Sequence, residues 1–194
     1  MREQNRKLTY YIGATIDGYI AGPDDQVEDF PLDPDLLGAI KEHWPETIPT
    51  HVREPLGVAD APNRSFDAVI MGRGTYDPGL KLGITSPYAH LDQYVVTTTL
   101  GADTDPGVTF VGTDPLAFVR DLKAQEGGGI WLAGGGKLAA ALIDEIDEIV
   151  VKRYRVLIGG GIPMFAGSYR PTAFTLESNR SLESGASIQT YRKA

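Results

Sequence analysis

The stretch 130–143, IWLAGGGKLAAALI, limits the fold more than any other: an apolar run, three consecutive glycines, then apolar residues at helical spacing. It reads as a strand, a tight turn and a helix. Glycine lets a ligand approach the main chain, and the helix behind it points unpaired N–H groups forward. That combination can hold a phosphate. Gly134-Gly135-Gly136-Lys137-Leu138-Ala139 also satisfies the dinucleotide-binding pattern with alanine in the last place. A Rossmann half-domain fits poorly, because the motif comes late and the next strand carries Arg153 and Arg155 where an acidic ribose ligand would stand. Taken alone, the motif is matched about equally well by a turn that is merely tight.

Leu8–Ala14 is rich in aromatic and β-branched residues and reads as the first strand. The turn-rich loop 15–25 follows with a brief extended piece inside it, and its Tyr19 and Ile20 suit a loop that covers something. A helix is predicted over 34–44, with Asp33 as N-cap, Pro34 at the first position and Leu36, Leu37, Ile40 and Trp44 on one stripe. From 46 to 64 the period fails and Pro49, Pro55 and Pro62 intervene, which predicts a surface connection serving as an insertion or lid. Strands are predicted at Phe66–Gly72, 93–99, Val108–Val111 and 148–156, with a helix over 114–125. Segments 173–177 and 186–191, around Glu183-Ser184-Gly185, read as a terminal antiparallel hairpin. Alternating strands and helices imply an α/β chain, a mainly parallel sheet with an antiparallel edge, in a single domain spanning 1–194. Ligands gather at the carboxyl ends of such strands.

A second strand-to-glycine junction stands at Met71-Gly72-Arg73-Gly74-Thr75-Tyr76. An arginine just past a strand end can grip a phosphate while Thr75 and a helix N-terminus reach another. Surface solvation is the commoner fate of such an arginine. Its pairing with the hydroxyls of Thr97, Thr98 and Thr99 favours an adenosine 2′-phosphate, although β propensity also explains threonines in strands.

A formal net charge of -8 argues against nucleic acid or an anionic membrane as the main partner and favours a small molecule. Cysteine is absent, which excludes disulfides, thiolate metal sites and cysteine nucleophiles and suits a reducing cytoplasm. His43, His51 and His90 lack zinc-ligand spacing, so no metal is expected. The polar start 1–7 shows no signal-peptide pattern, and no stretch has the length to span a bilayer.

In order, the motifs TIDGYIA (15–21), VIMGRGTY (69–76), VVTTT (95–99), WLAGGGKL (131–138) and IGGGIPMF (158–165) resemble reductases with the dihydrofolate reductase fold, most closely the branch related to the reductase domain of riboflavin biosynthesis. The resemblance runs nearly end to end. It implies a three-layer α/β fold with helices on both faces of the sheet, and NADPH as cofactor. By the same resemblance, Ala14 and Ile20 flank the nicotinamide, while Gly72, Arg73, Gly74 and Thr75 hold phosphates. Thr97 and Thr98 face the adenosine ribose, and Ala133, Gly134, Gly135, Gly136 and Lys137 take the pyrophosphate with Leu138 packed close by. The implied activity is hydride transfer to a planar heterocycle or related carbonyl or imine compound, in a cytoplasmic homodimer. An NADP(H)-binding sensor without turnover is the alternative.

For the proton, Asp17 and Asp33 are the candidates, with Asp35 nearby. An N-cap role is the stronger expectation for Asp33, and a turn role suffices for Asp17. Asp29, Tyr154 and Gly160 fall near the expected substrate edge, where Tyr154 packing and an exposed loop carboxylate at Asp29 are the simpler readings.

Overall fold

The structure is a computed structural model, and it describes residues 6–194; the polar residues 1–5, which open the expected single domain, lie outside the described residues. In chain order the elements are β1 (Leu8–Ala14), β2 (Tyr19–Ala21), α1 (Pro34–His43), a 3-10 turn (Pro45–Thr47), α2 (Thr50–Arg53), β3 (Phe66–Gly72), α3 (Arg73–Lys81), β4 (Asp92–Val96) and β5 (Val108–Val111). They continue as α4 (Pro115–Lys123), β6 (Gly129–Gly134), α5 (Gly136–Ala141), β7 (Ile146–Arg153), β8 (Ile162–Pro163), β9 (Phe174–Ser181) and β10 (Ser187–Lys193).

Eight strands form one sheet in the order β5-β4-β3-β6-β1-β7-β10-β9. The first six run parallel, β10 is antiparallel to β7, and β9 returns antiparallel to β10. The mainly parallel sheet with a terminal hairpin is therefore as the sequence predicts. Its central strands are apolar on both faces, as a sheet covered on both sides requires. Leu8, Tyr10, Ala68, Ile70, Ile130 and Leu132 face one way and meet Val119 and Leu122 of α4 and Leu138 of α5. Tyr11, Val69, Met71, Trp131 and Val150 face the other way and meet Leu36, Ala39 and Ile40 of α1 and Tyr76 of α3. The period-two alternation thus divides one core into two layers around the sheet.

The segment 46–64 departs from the expected loose connection or lid. Glu46 is fully buried, and its Oε1 accepts from the backbone N–H groups of Ser65 at 2.6 Å and Phe66 at 3.0 Å. Arg53, also buried, donates to the carbonyls of Pro45 and Ala61, each at 2.7 Å. Ile48 and Val58 join the core beside α1. The prolines interrupt regular structure, but charge-assisted bonds to backbone satisfy the groups they leave unpaired. Because Ser65 precedes β3 and Phe66 begins it, and Pro87 and His90, which bond Thr50, precede β4, this segment plugs the amino ends of the strands. A lid would have to lie at the opposite ends.

Three further details refine the expected elements. β4 stops at Val96, so Thr97, Thr98 and Thr99 lie in the turn beyond it, with Thr97 N–H still bonded to Val111 O at 3.0 Å. α3 continues through Pro78, which forgoes only one helical hydrogen bond in so short a helix. The brief extended piece expected inside the loop 15–25 is β2, which pairs with β8 in a separate two-stranded sheet.

Candidate functional site at the carboxyl ends of the strands

β3 and β6 are neighbours, with Met71 opposite Gly134, so their two glycine junctions abut. A Cβ built on Gly72 would stand 3.6 Å from both Gly134 O and Gly135 N. The opening N–H groups of α3 and α5 therefore emerge side by side at one edge of the sheet.

The three glycines of the β6–α5 turn have different jobs. Gly134 adopts φ 125, a conformation that side chains disfavour, and its peptide to Gly135 is cis. Gly135 is open: the nearest atom to a Cβ there is Ile20 Cδ1 at 3.8 Å. Gly136 is sealed, since a Cβ would collide with the Pro163 carbonyl oxygen, and its own carbonyl accepts from Ala166 N–H at 3.0 Å. The missing side chain of Gly136 thus makes room for the 163–166 loop. Lys137 is exposed, Leu138 is buried beside Gly72, and Ala133 is buried on the α1 face. Thr75 Oγ1 lies 3.4 Å from the Cβ position of Gly134, and that hydroxyl has no hydrogen-bond partner among the described residues.

Arg73, the first residue of α3, reaches across to the turn after β4. Its Nη1 donates to Thr99 Oγ1 at 2.6 Å, and its Nε pairs with Asp77 one helical turn on. The Thr97 and Thr99 hydroxyls lie 3.3 Å apart. Thr98 and Thr99 are both exposed, and the hydroxyl that the arginine bonds is that of Thr99. Asp77 was readable in advance from its i,i+4 spacing to Arg73.

The loop after β1 is stitched down rather than free. Thr15 N–H bonds Tyr19 O at 2.8 Å, Gly18 O accepts from Met164 N–H at 2.9 Å, and β2 pairs with β8. Ile20 is thereby held over Gly135. Asp17 participates in this stitching: its Oδ1 accepts from the Thr15 hydroxyl at 2.6 Å and its Oδ2 from Gly159 N–H at 2.8 Å. The Thr15 hydroxyl, with help from backbone N–H groups, holds the carboxyl below its usual range. Asp17 is therefore ionised at neutral pH and lacks a proton to give.

Asp33 sits at the N-cap position of α1, but its side chain does not cap the helix. Instead it receives Arg155 bidentately, Nη2 to Oδ1 at 3.0 Å and Nε to Oδ2 at 3.1 Å. A fixed guanidinium outcompetes a backbone N–H for the carboxylate, which corrects the capping expectation. Asp35 accepts from Ser184 N–H at 2.8 Å, and this bond, largest among its influences, lowers its pKa. Asp29 is exposed and makes no hydrogen bond among the described residues. Gly160 is open on its Cα side.

Tyr154 follows β7, and its N–H bonds Ala14 O at 2.8 Å. Its ring lies across Gly13 and meets Phe30 with centroids 5.3 Å apart, and burial pushes its phenol up. Packing is the role this geometry gives it. Two residues earlier, on the same face, Lys152 places its Nζ 4.0 Å from the Tyr11 ring centroid, and burial pushes the amine down to about 7. A lysine near the end of an apolar strand, EIVVKR, was the available signal for it.

Two depressions of about 380 and 390 Å³ lie elsewhere, at the amino end of β1 and β7 and between Trp44 and the β9–β10 hairpin. Among the described residues, no cluster of three His, Asp or Glu side chains is placed to hold a metal, and no helix is long and apolar enough to cross a membrane.

Residues 6–190 match the family model described as the RibD C-terminal domain. The chain is 29% identical over 188 residues to the uncharacterized protein YwjB of Bacillus subtilis (strain 168), covering 96% of this chain and 97% of that protein. A solved structure from Shewanella sp. PV-4 is 21% identical, with a TM-score of 0.69 over 97% of this chain and 99% of that one. A diaminohydroxyphosphoribosylaminopyrimidine deaminase/5-amino-6-(5-phosphoribosylamino)uracil reductase from Thermotoga maritima is 15% identical, with a TM-score of 0.63 over 98% of this chain and 57% of that one.

Proposed function

The chain belongs to the RibD C-terminal domain family, which has the dihydrofolate reductase-like fold, and from that premise we propose that it is an NADPH-dependent reductase of a small planar heterocycle or related carbonyl or imine compound. The observation that carries this reading is the pair of abutting glycine junctions, where Gly72, Gly74 and Gly135 have room beside their backbone and only Gly136 is closed, by the Pro163 carbonyl. A dinucleotide fits such a cradle. The open N–H groups of the α3 and α5 first turns and the unpartnered Thr75 hydroxyl would meet the pyrophosphate. Arg73, with Thr99 and Thr97 beside it, would meet an adenosine 2′-phosphate. Ala14 and Ile20 would bound the nicotinamide, with Ile20 excluding water above Gly135.

When bound, the cofactor supplies the hydride. The chain's part is orientation and a dry site: β1 and β7 form the floor on the substrate side, and the β2–β8 sheet is the roof. The relative from Thermotoga maritima, a reductase of an aminouracil by its printed name, supports a heterocyclic substrate.

A second reading has a specific observation in its favour. Asp17 and Asp33 are both committed to structural bonds, which suits an NADP(H)-binding protein that no longer turns over. Fluorescence of NADPH on binding, followed by its oxidation against dihydrofolate, ribosylated aminopyrimidines and quinones, separates the two. Binding with turnover supports the reductase, binding without turnover the sensor, and no binding removes both.

We also propose a homodimer in the cytoplasm. β9 is an eight-residue edge strand, exposed along nearly its whole length, and an unprotected edge of that kind invites a second copy. Light scattering after size exclusion tests it, and a monomer mass would remove the proposal.

A further inference from the structure

The substrate half of the cleft holds few groups able to share a proton. Along the carboxyl ends of β1 and β7 and the loops above them, Asp17 is bonded to Thr15 and Gly159, Asp33 to Arg155, and Asp35 to Ser184. Arg153 donates to Thr15 O at 2.8 Å. Asp29 stands apart in the exposed loop before α1, so on the sheet itself what is left is Lys152 and the two tyrosines of its face, Tyr11 and Tyr154.

Lys152 stands opposite Gly13 in the β1–β7 register and opposite Ile188 in the β7–β10 register. Neither neighbour offers it a polar group. The empty place at Gly13 is filled from above by the Tyr154 ring, whose Cε2 comes within 2.5 Å of a Cβ built there. The lysine side chain leans the other way, over Tyr11. No carboxylate lies within ion-pair distance of its amine among the described residues, and it makes no hydrogen bond there. Glu46 and Tyr88 act on the Tyr11 phenol, and burial is the main force raising that phenol, so Tyr11 stays protonated. Tyr154 is likewise held protonated by burial. Lys152 is a half-buried residue, and its unbonded amine is not among the fully enclosed polar atoms, so a ligand or water can still reach it.

We propose that Lys152 is the proton donor on the substrate side of the cleft, held by the Tyr11 ring and claimed by no acid. This rests on the reductase reading above. As the C=N or C=O carbon of the substrate accepts the hydride, its π pair moves to nitrogen or oxygen. A new N–H or O–H bond forms there as an N–H bond of the Lys152 ammonium breaks. The lysine is left as a neutral amine and regains its proton from water. A cation–π contact suits this task because it favours the ammonium without offering a base to hold the proton. Desolvation brings the amine close to neutral pH, where a general acid is most effective.

Competitive labelling of the wild-type protein with acetic anhydride across pH, read by peptide mass spectrometry, tests the proton state without a substrate. Lys152 should titrate around neutrality. A Lys152 that titrates in the range of a free lysine side chain overturns the proposal. On the panel compound reduced fastest, kcat/KM should fall tenfold per pH unit on the alkaline side of the Lys152 titration. Lys152→Met should abolish that limb and lower kcat/KM by about 10²-fold or more while NADPH fluorescence titrations match the wild type. Lys152→Arg, which cannot give up its proton near neutrality, should be as slow as Lys152→Met. An unchanged alkaline limb in Lys152→Met overturns the proposal. Failure of the wild-type protein to bind NADPH falls instead on the reductase reading.

Discussion

The guanidinium of Arg73 donates to the hydroxyl of Thr99 at 2.6 Å, joining the first turn of α3 to the turn beyond β4. Two strand ends adjacent in the sheet thus share one cation, in a chain whose net charge is -8. Asp77 holds the other side of the guanidinium, so its plane is set before any ligand arrives. Preorganisation of this kind favours a phosphate over a flexible surface lysine.

Arg73→Ala should weaken NADPH binding by about 10- to 100-fold, the loss of a charge-assisted bond, while NADH binding changes by less than about threefold. Parallel fluorescence titrations with the two cofactors check it. Equal losses for both would remove the 2′-phosphate role.

Gly136→Ala should destabilise the fold, because the added Cβ meets the Pro163 carbonyl and must displace the 163–166 loop. Overpacking of that kind costs about 1–3 kcal/mol. Urea denaturation measures it, and a wild-type midpoint would contradict the packing assignment.

Glu46→Ala should cost about 2–5 kcal/mol, since the Ser65 and Phe66 N–H groups lose their acceptor in the interior. NADPH affinity of the folded variant should be unchanged, because the 46–64 plug lies at the amino ends of the strands. A reduced affinity in the folded variant would restore the lid reading for that segment.

The partly desolvated amine of Lys152 sets a pH dependence with a definite sign. Its pKa falls from 10.5 to about 7 on folding, so between those values the unfolded chain binds more protons and stability rises with pH. Below about pH 7 both states are charged and the burial penalty is fully present. Lys152→Met should therefore stabilise the protein more near pH 6.5 than near pH 10 when the two are compared by chemical denaturation, to within about 0.5 kcal/mol. Equal gains at both would show that folding leaves this amine unshifted.

The alternation of β1, β3 and β6 was legible because a doubly covered strand leaves a continuous apolar run, and the glycine junctions were legible because helix and strand periods meet there. The segment 46–64 was not. Its order comes from Glu46 and Arg53 reaching backbone groups beside them and beyond, and such bonds leave no period in the sequence. Asp33 shows a different limit: the local rule for an N-cap was sound, but Arg155, 122 residues away, supplied a stronger partner. Within the glycine turn, identical residues could not reveal that Gly135 is open and Gly136 closed, because Ile20 and Pro163 decide that from other parts of the chain. Among Thr97, Thr98 and Thr99, all read beside Arg73, the sequence could not say which hydroxyl the guanidinium bonds, since that depends on where β4 ends.

That open glycine offers the most direct test of the account. A Cβ at Gly135 has room against the protein, with Ile20 Cδ1 at 3.8 Å, but stands where the pyrophosphate would approach. Fluorescence titration with NADPH should show saturable binding by the wild-type protein, and Gly135→Ala should keep the fold while losing about tenfold or more in affinity. Wild-type protein that fails to bind NADPH at about 1 mM, or a folded Gly135→Ala that binds it as tightly as wild type, would contradict the account.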